Sequence, residues 1–547
     1  MSLRFNVKSQ YFTLLLASYF TVILNYPFFR ESWKVLGKID QVKAGFIVSI
    51  PFFVLFALII LFSLFTIKYI SKPLFIFLTV SSSLVFYAGL AYGVVFDYGM
   101  IQNSSQTNLS EASSYLNASL VISFILTGVV PAFLITRTNI IYRPLFKEVL
   151  SKTALMGLSV LGLLIIASFY YQDYASIGRN NKYLQKYIVP TQYVWSGYKY
   201  LKKNYFTTPL VYQQLGLDAK KAVAATVTRP QITVMALGET ARAMNYRYNG
   251  YSRDTNPFTA SDDLISFRQV SSCGTATAVS VPCMFSFMGR SDYDENRAAN
   301  QDNVLDVIQR GSVNVQWIDN DGGCKGVCGR VPTLNISIKT DSPLCDGEYC
   351  FDEILLPELE KALAKANGKD TMVVLHLIGS HGPTYYRRYP ASHRRFTPDC
   401  QRSDIQNCTQ EELVNTYDNT IAYTDYMLSR IVSVLKSYSD RYNTSMLYMS
   451  DHGESLGENG LYLHGTPYAV APKEQTHVPA LLWLSPNYVK ENQIDMTCVR
   501  KTAESKQLSQ DYLSHSLLGL TKVATSVYKP ELDFLSGCRA GLAPDLT

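Results

Sequence analysis

Apolar and polar positions divide this chain into two regimes. Over the first third, uncharged apolar runs recur at roughly Tyr11 to Phe29, Ala44 to Ile67, Pro73 to Phe96, Leu116 to Ile135 and Thr153 to Tyr171. Each is near the ~20 residues that an α-helix needs to cross a bilayer, so the pattern predicts five transmembrane helices. The first run has few flanking positive charges and no small-residue cleavage site before the second, and reads as a retained helix, not a signal peptide. From Gln231 onward, short apolar runs alternate with helical patterns. Ile232 to Leu237, Val313 to Ile318, Met372 to Ile378, Ser445 to Met449 and Ala480 to Leu484 read as strands, and Val304 to Arg310, Glu353 to Ala366 and Glu411 to Lys436 as helices. That alternation predicts an α/β unit with a largely parallel, buried sheet. Residues 172–230, rich in Tyr, Lys and Asn, read as a linker with interfacial helices. The expected domains are therefore a five-helix membrane domain over 1–171, the linker over 172–230, and a catalytic α/β domain over 231–547.

Cysteine placement adds a compartment. All ten cysteines follow the last apolar run, and an odd number of spans puts the two ends on opposite sides of the membrane. The C-terminal part is expected to be oxidised and exported. The cysteines come in close sequential pairs, whose spacing suggests the bridges Cys273–Cys283, Cys324–Cys328, Cys345–Cys350, Cys400–Cys408 and, by elimination, Cys498–Cys538. Charge agrees in part. With the N-terminus inside, Arg4, Lys8, Lys68, Lys72, Arg137, Arg143, Lys147 and Lys152 lie on inner segments, and the outer loop from Asp97 to Asn117 has no Lys or Arg. The first outer loop runs against this rule with Arg30, Lys34, Lys38 and Lys43.

Ligands collect at the carboxyl ends of parallel strands, and three predicted strands end in unusual polar groups: Glu239-Thr240, Gly379-Ser380-His381-Gly382, and Asp451-His452-Gly453-Glu454. Glu239, Asp451 and His452 are ligand types that suit zinc, and a threonine hydroxyl as fourth ligand would be driven toward its alkoxide. The disulfide-flanked, small-residue segment from Cys273 to Cys283 supplies hydroxyls at Thr275, Thr277 and Ser280. Spacing alone does not choose among them.

Together, Gly-Glu-Thr after the first strand, Cys-Gly-Thr-Ala-Thr-Ala-Val-Ser-Val-Pro-Cys, Gly-Ser-His-Gly-Pro, Ser-Asp-His-Gly-Glu-Ser-Leu-Gly-Glu-Asn-Gly and the following Tyr-Leu-His-Gly resemble the lipid A phosphoethanolamine transferases, the family that includes the mobile colistin resistance enzymes. The resemblance implies an α-helical membrane domain of five transmembrane helices plus a C-terminal α/β alkaline-phosphatase/sulfatase-like domain. It further implies an inner-membrane, multi-pass, zinc-dependent enzyme with its catalytic domain in the periplasm. Phosphatidylethanolamine would be the donor, lipid A the acceptor, and polymyxin resistance the consequence. It names Thr277 as nucleophile and, with Glu239, Asp451 and His452, as zinc ligand. One zinc is implied and a second is compatible.

His381 and His464 match histidines that bind the substrate phosphate or a second zinc and act as acid or base. Lys325 matches a phosphate-binding lysine, while Asp321 stands where many relatives are expected to have Asn. Asn103, Thr107 and Glu111, spaced four apart on one predicted helical face, match a stripe suited to the ammonium of phosphoethanolamine. Arg387, Arg388, Arg394 and Arg395 with His393 form a basic run that either steers phosphates or is simply solvated. A monomer is favoured, and no nucleic-acid partner is expected. Two other readings stay open: the same chemistry on another envelope glycan or core acceptor, and a non-catalytic zinc-binding sensor.

Overall fold

The computed structural model describes residues 5–37, 42–107, 109–206, 210–222 and 227–539. It divides into two compact units, one of Met1–Ile101 with Leu116–Phe206, the other of Gln102–Tyr115 with Thr207–Thr547.

Among the described residues of the first unit, four helices are long and apolar enough to cross a bilayer: Ala44–Phe65, Ser71–Ala91, Ala118–Arg137 and Leu145–Tyr174. The first expected span is a broken one. Ser9–Leu24 and Tyr26–Leu36 meet at 53°, and counting that pair as one span gives five. The cause is local. A π-helical turn over Phe20–Leu24 disturbs the hydrogen-bond ladder, and Pro27 opens the second helix. Buried Asn25 at the corner bonds across to Val189, donating to its carbonyl at 2.8 Å and accepting from its N–H at 2.9 Å. Small residues let the spans approach: a Cβ on Gly162 would stand 2.5 Å from the Phe56 ring. The last long helix, Leu145–Asn180, runs past the apolar stretch into polar sequence, and the amphipathic helix Thr191–Tyr205 follows. That helix exposes Trp195, Tyr198 and Leu201 on its surface.

The second unit is built on an eight-stranded sheet, whose strands we number in chain order: β1 Gln231–Gly238, β2 Ile265–Ser271, β3 Asn314–Asp319, β4 Thr333–Asn335, β5 Thr371–His376, β6 Asn443–Ser450, β7 His477–Leu484 and β8 Leu508–Ser509. Across the sheet they run β8-β2-β7-β6-β1-β5-β3-β4. All pairings are parallel except those of β7, which is antiparallel to both β2 and β6. All five expected strands are present. The short strands β4 and β8 were not expected, and neither was β2. β2 breaks its alternation at a bulge opposite Val478 and Ala480, so that Arg268 and Gln269 both face out.

The expected helices form as well, Gln410–Tyr438 and Val304–Arg310 each opening on a capping box, Thr409 with Glu412 and Asn303 with Asp306. The third, expected over Glu353 to Ala366, forms as Leu355–Ala364. All ten cysteines pair as their spacing suggested.

Candidate active site and metal centre

β1, β5 and β6 are neighbours in register, with Leu237 beside His376 and Gly238 beside Ser450. Their carboxyl ends therefore deliver Glu239, the 377–381 loop and Asp451-His452 to one rim. The backbone there is closely packed. Gly379 has φ +49°, and Ser380 donates its N–H to the Glu239 carbonyl at 3.0 Å.

Thr277 is the first residue of the helix Thr277–Met284, which the Cys273–Cys283 bridge ties to the strand before it. Its hydroxyl stands 3.2 Å from each carboxylate oxygen of Glu239 and 3.3 Å from His452 Nε2. His452 Nε2 is in turn 3.5 Å from Glu239 and 3.3 Å from Asp451 Oδ2. The other two candidate hydroxyls are engaged elsewhere: Thr275 donates to the Thr466 carbonyl at 2.6 Å, and Ser280 Oγ lies 2.5 Å from the Asp451 carbonyl. Of the three hydroxyls, that of Thr277 faces the acids and the imidazole.

The residues fit a metal. Glu239, Asp451 and His452 are fully buried and bring one donor atom each to within 4.8 Å of one another. Asp451 Oδ1 accepts from the N–H groups of Thr240 and His452, but Oδ2, equally buried, has no hydrogen-bond donor. Such an orphaned carboxylate oxygen is costly without a cation. His452 Nδ1 lies 2.9 Å from the Gly453 carbonyl, which makes Nδ1 the donor and turns the Nε2 lone pair toward the cluster. Burial pushes His452 down to about 4, keeping it neutral as a ligand requires. Burial, together with the charges of Asp451 and Asp321, pushes the Glu239 carboxyl well above its ordinary range. Two desolvated carboxylates, an imidazole nitrogen and a hydroxyl make a donor set that could hold a metal ion.

The remaining candidates stand around this centre. The His464 ring lies 4.5 Å from that of His452 and 6.2 Å from that of His381, between centroids. Its Nδ1 is 3.0 Å from Glu454, which also accepts from the Tyr385 hydroxyl at 2.7 Å. Lys325 sits with φ +49° in the loop closed by Cys324–Cys328, and its charge acts on both Glu239 and Asp321. Burial raises Asp321 to about 6 against the nearby charges of His376, His381 and Lys325. A cavity of about 380 Å³ lies here, lined among others by Asp321, Ile336, Tyr349, Ile378 and His381.

Asn103, Thr107 and Glu111 are not on one continuous helix. The helix Tyr98–Gln106 ends first, the Thr107 hydroxyl turning back to the Asn103 carbonyl at 2.9 Å, and Glu111 belongs to a second helix, Leu109–Ser114. The Glu111 side chain lies outside the described residues.

The basic run is largely ion-paired, with Arg394 and Arg395 at the surface. Arg387 pairs with Asp346 and Glu348, Arg394 with Asp399 at 3.1 Å and Arg395 with Asp254 at 3.4 Å. Arg388 is buried, donating to the His381 carbonyl at 2.8 Å. Sequence reasoning gave no role to His376 or Asp319, which face each other at 2.9 Å beside this centre. The available signal was a lone histidine and a lone aspartate closing apolar strands.

Residues 231–523 match the Sulfatase family model and residues 54–205 the Phosphoethanolamine transferase EptA/EptB model. The phosphoethanolamine transferase EptA of Escherichia coli (strain K12) is 42% identical over 96% of both chains. The phosphatidylethanolamine transferase Mcr-1 of Escherichia coli is 34% identical over 95% of this chain and 96% of its own. The integral membrane protein lipooligosaccharide phosphoethanolamine transferase A (EptA) from Neisseria meningitidis superposes with a TM-score of 0.94 at 38% identity, covering 98% of this chain and 99% of that one. With its membrane helices, its sulfatase-type sheet and this near-complete coverage, the chain belongs to the EptA family of phosphoethanolamine transferases.

Proposed function

We propose that this enzyme, a multi-pass inner-membrane phosphoethanolamine transferase with a periplasmic catalytic domain, moves phosphoethanolamine from phosphatidylethanolamine to a phosphate of lipid A through Thr277. The observation that carries this reading is the Thr277 hydroxyl, directed at Glu239 and His452 while Thr275 and Ser280 bond elsewhere. Glu239, Thr277, Asp451 and His452 would hold zinc. Bound there, zinc lowers the pKa of the hydroxyl and offsets negative charge developing on phosphorus.

Thr277 Oγ1 attacks the donor phosphorus, its proton having an acceptor in Glu239. The bond from phosphorus to the diacylglycerol oxygen breaks, and that oxygen takes a proton from His381 or His464 as diacylglycerol leaves. A lipid A phosphate oxygen then attacks the phosphorus held on Thr277 and gives its proton to the histidine that protonated diacylglycerol, while the bond to Oγ1 breaks and Oγ1 takes back its proton from Glu239. Lys325, His381 and His464 hold phosphate oxygens, and Asn103, Thr107 and Glu111 receive the ethanolamine headgroup. Donor, acceptor and enzyme share one membrane, which replaces a three-dimensional search with a confined one. Capping lipid A phosphates with a zwitterion lowers the surface's negative charge, and cationic polymyxins bind it less.

Incubation with headgroup-labelled phosphatidylethanolamine and purified lipid A tests the reading: lipid A should gain the labelled phosphoethanolamine. Label appearing only on a core sugar or a glucan would overturn the acceptor.

A further inference from the structure

Behind the Thr277 centre, a second group of donors converges. Glu239, Asp321 and His376 each bring one ligand-type atom to within 4.8 Å of the other two. His376 closes β5 and is fully buried. Its Nδ1 is held 2.9 Å from Asp319 Oδ2, and Asp319 is itself fixed by Trp317 Nε1–H at 2.8 Å and the Gly323 N–H at 2.7 Å. A carboxylate bonded to one imidazole nitrogen is the usual device that orients a histidine for ligation through the other. That other nitrogen, Nε2, has no hydrogen-bond partner although it is buried, and it lies 3.6 Å from Asp321 Oδ2.

Asp321 reaches this position because the chain turns sharply after β3, with Gly322 and Gly323 at φ +85° and +119° and the Cys324–Cys328 bridge immediately behind. Two carboxylates in mutual repulsion, Glu239 and Asp321, thus face an unsatisfied imidazole nitrogen.

We infer that Glu239, Asp321 and His376 form a second divalent-cation site, sharing Glu239 with the Thr277 centre and distinct from the His381–His464 pair. Two carboxylate oxygens and one imidazole nitrogen suit zinc or manganese better than magnesium or calcium, which prefer oxygen alone. A cation there cancels the repulsion between Glu239 and Asp321 and holds the turn that carries Lys325 beside the cavity lined by Asp321 and His381.

The test uses the full-length protein in detergent, stripped of metal and dialysed against zinc, then against manganese. Bound equivalents are counted by elemental analysis, and the metals are located by anomalous diffraction from wild-type crystals. The expected result is a peak among Glu239, Asp321 and His376. Asp321→Asn and His376→Gln should each bind one equivalent fewer than wild type while keeping the metal at Thr277, which also reports that the variant is folded. Metal at the Thr277 centre with none among these three residues, or full stoichiometry in both variants, overturns the inference and leaves the proposed function standing. Absence of metal from both places sinks the zinc reading as well.

Discussion

Gly379 and Glu239 touch through their backbones: a Cβ on Gly379 would stand 2.8 Å from the Glu239 carbonyl oxygen and 3.0 Å from its nitrogen. The residue that positions a proposed metal ligand is thus a glycine in the left-handed region on the adjacent strand's exit loop. Gly379→Ala should cost about 1–3 kcal/mol of stability and weaken zinc binding roughly 10-fold or more. Thermal melting and a competitive zinc titration check this. Wild-type values for both would show that Glu239 does not depend on this contact.

Three hydroxyls, of Thr275, Thr277 and Ser280, lie close together in sequence, yet they differ in what they face. Thr275→Ala removes a bond to the Thr466 carbonyl and should cost about 1 kcal/mol of stability with transfer still measurable. Thr277→Ala should lower transfer by roughly 10³-fold or more while fold and zinc content persist. Equal losses in the two variants would mean that Thr277 acts through structure and not through its oxygen.

Periodicity made the sheet legible, because β1, β5 and β6 are buried along their whole length around central apolar runs, and polar residues follow just beyond their ends. β2 escaped because its bulge puts Arg268 and Gln269 side by side on the surface. Glu239, Asp451 and His452 could be read as ligand types at strand ends. The choice of Thr277 over Thr275 and Ser280 rests on family resemblance, and local sequence gives no hint that the three hydroxyls face different partners. The pairing of the basic run was not legible for a related reason: its partners, Asp254, Asp346, Glu348 and Asp399, are brought to it by the fold and by no local pattern. The bond that ties the corner of the first apolar run to the rest of its unit, from Asn25 to Val189, likewise joins residues 164 apart in sequence.

The buried Arg388 guanidinium illustrates the consequence. It donates to the His381 carbonyl and to Thr384 Oγ1, and stacks on Tyr349 at 4.0 Å. Arg388→Ala should destabilise the protein by about 2–4 kcal/mol and misplace His381, lowering activity in the fraction that still folds. Arg394→Ala, which breaks a partly exposed pair with Asp399, should change stability by less than about 1 kcal/mol. Melting temperatures of the two variants separate these roles, and equal shifts would contradict the assignment.

Acid should destabilise the protein through buried His515. His515 accepts the Lys529 N–H at 3.1 Å, and burial, with the nearby Lys529 charge, pushes it down to about 4. An unfolded histidine titrates near 6.5, so the unfolded chain takes the proton first as pH falls. The stabilisation is complete above about pH 6.5 and is lost on descent toward 4, to a limit of about 3 kcal/mol. Melting should therefore fall between pH 7 and pH 4.5, and fall less in His515→Gln. An identical pH dependence in the variant would place the acid sensitivity elsewhere.

The central claim is a covalent phosphoethanolamine on Thr277, and intact mass spectrometry tests it most directly. Purified protein is incubated with phosphatidylethanolamine in detergent, with and without a zinc chelator, and any adduct is mapped by proteolysis. The account predicts one added phosphoethanolamine, on Thr277, abolished by the chelator and absent in Thr277→Ala. An adduct on Thr275 or Ser280, or none while labelled headgroup still reaches lipid A at every time sampled, would contradict it.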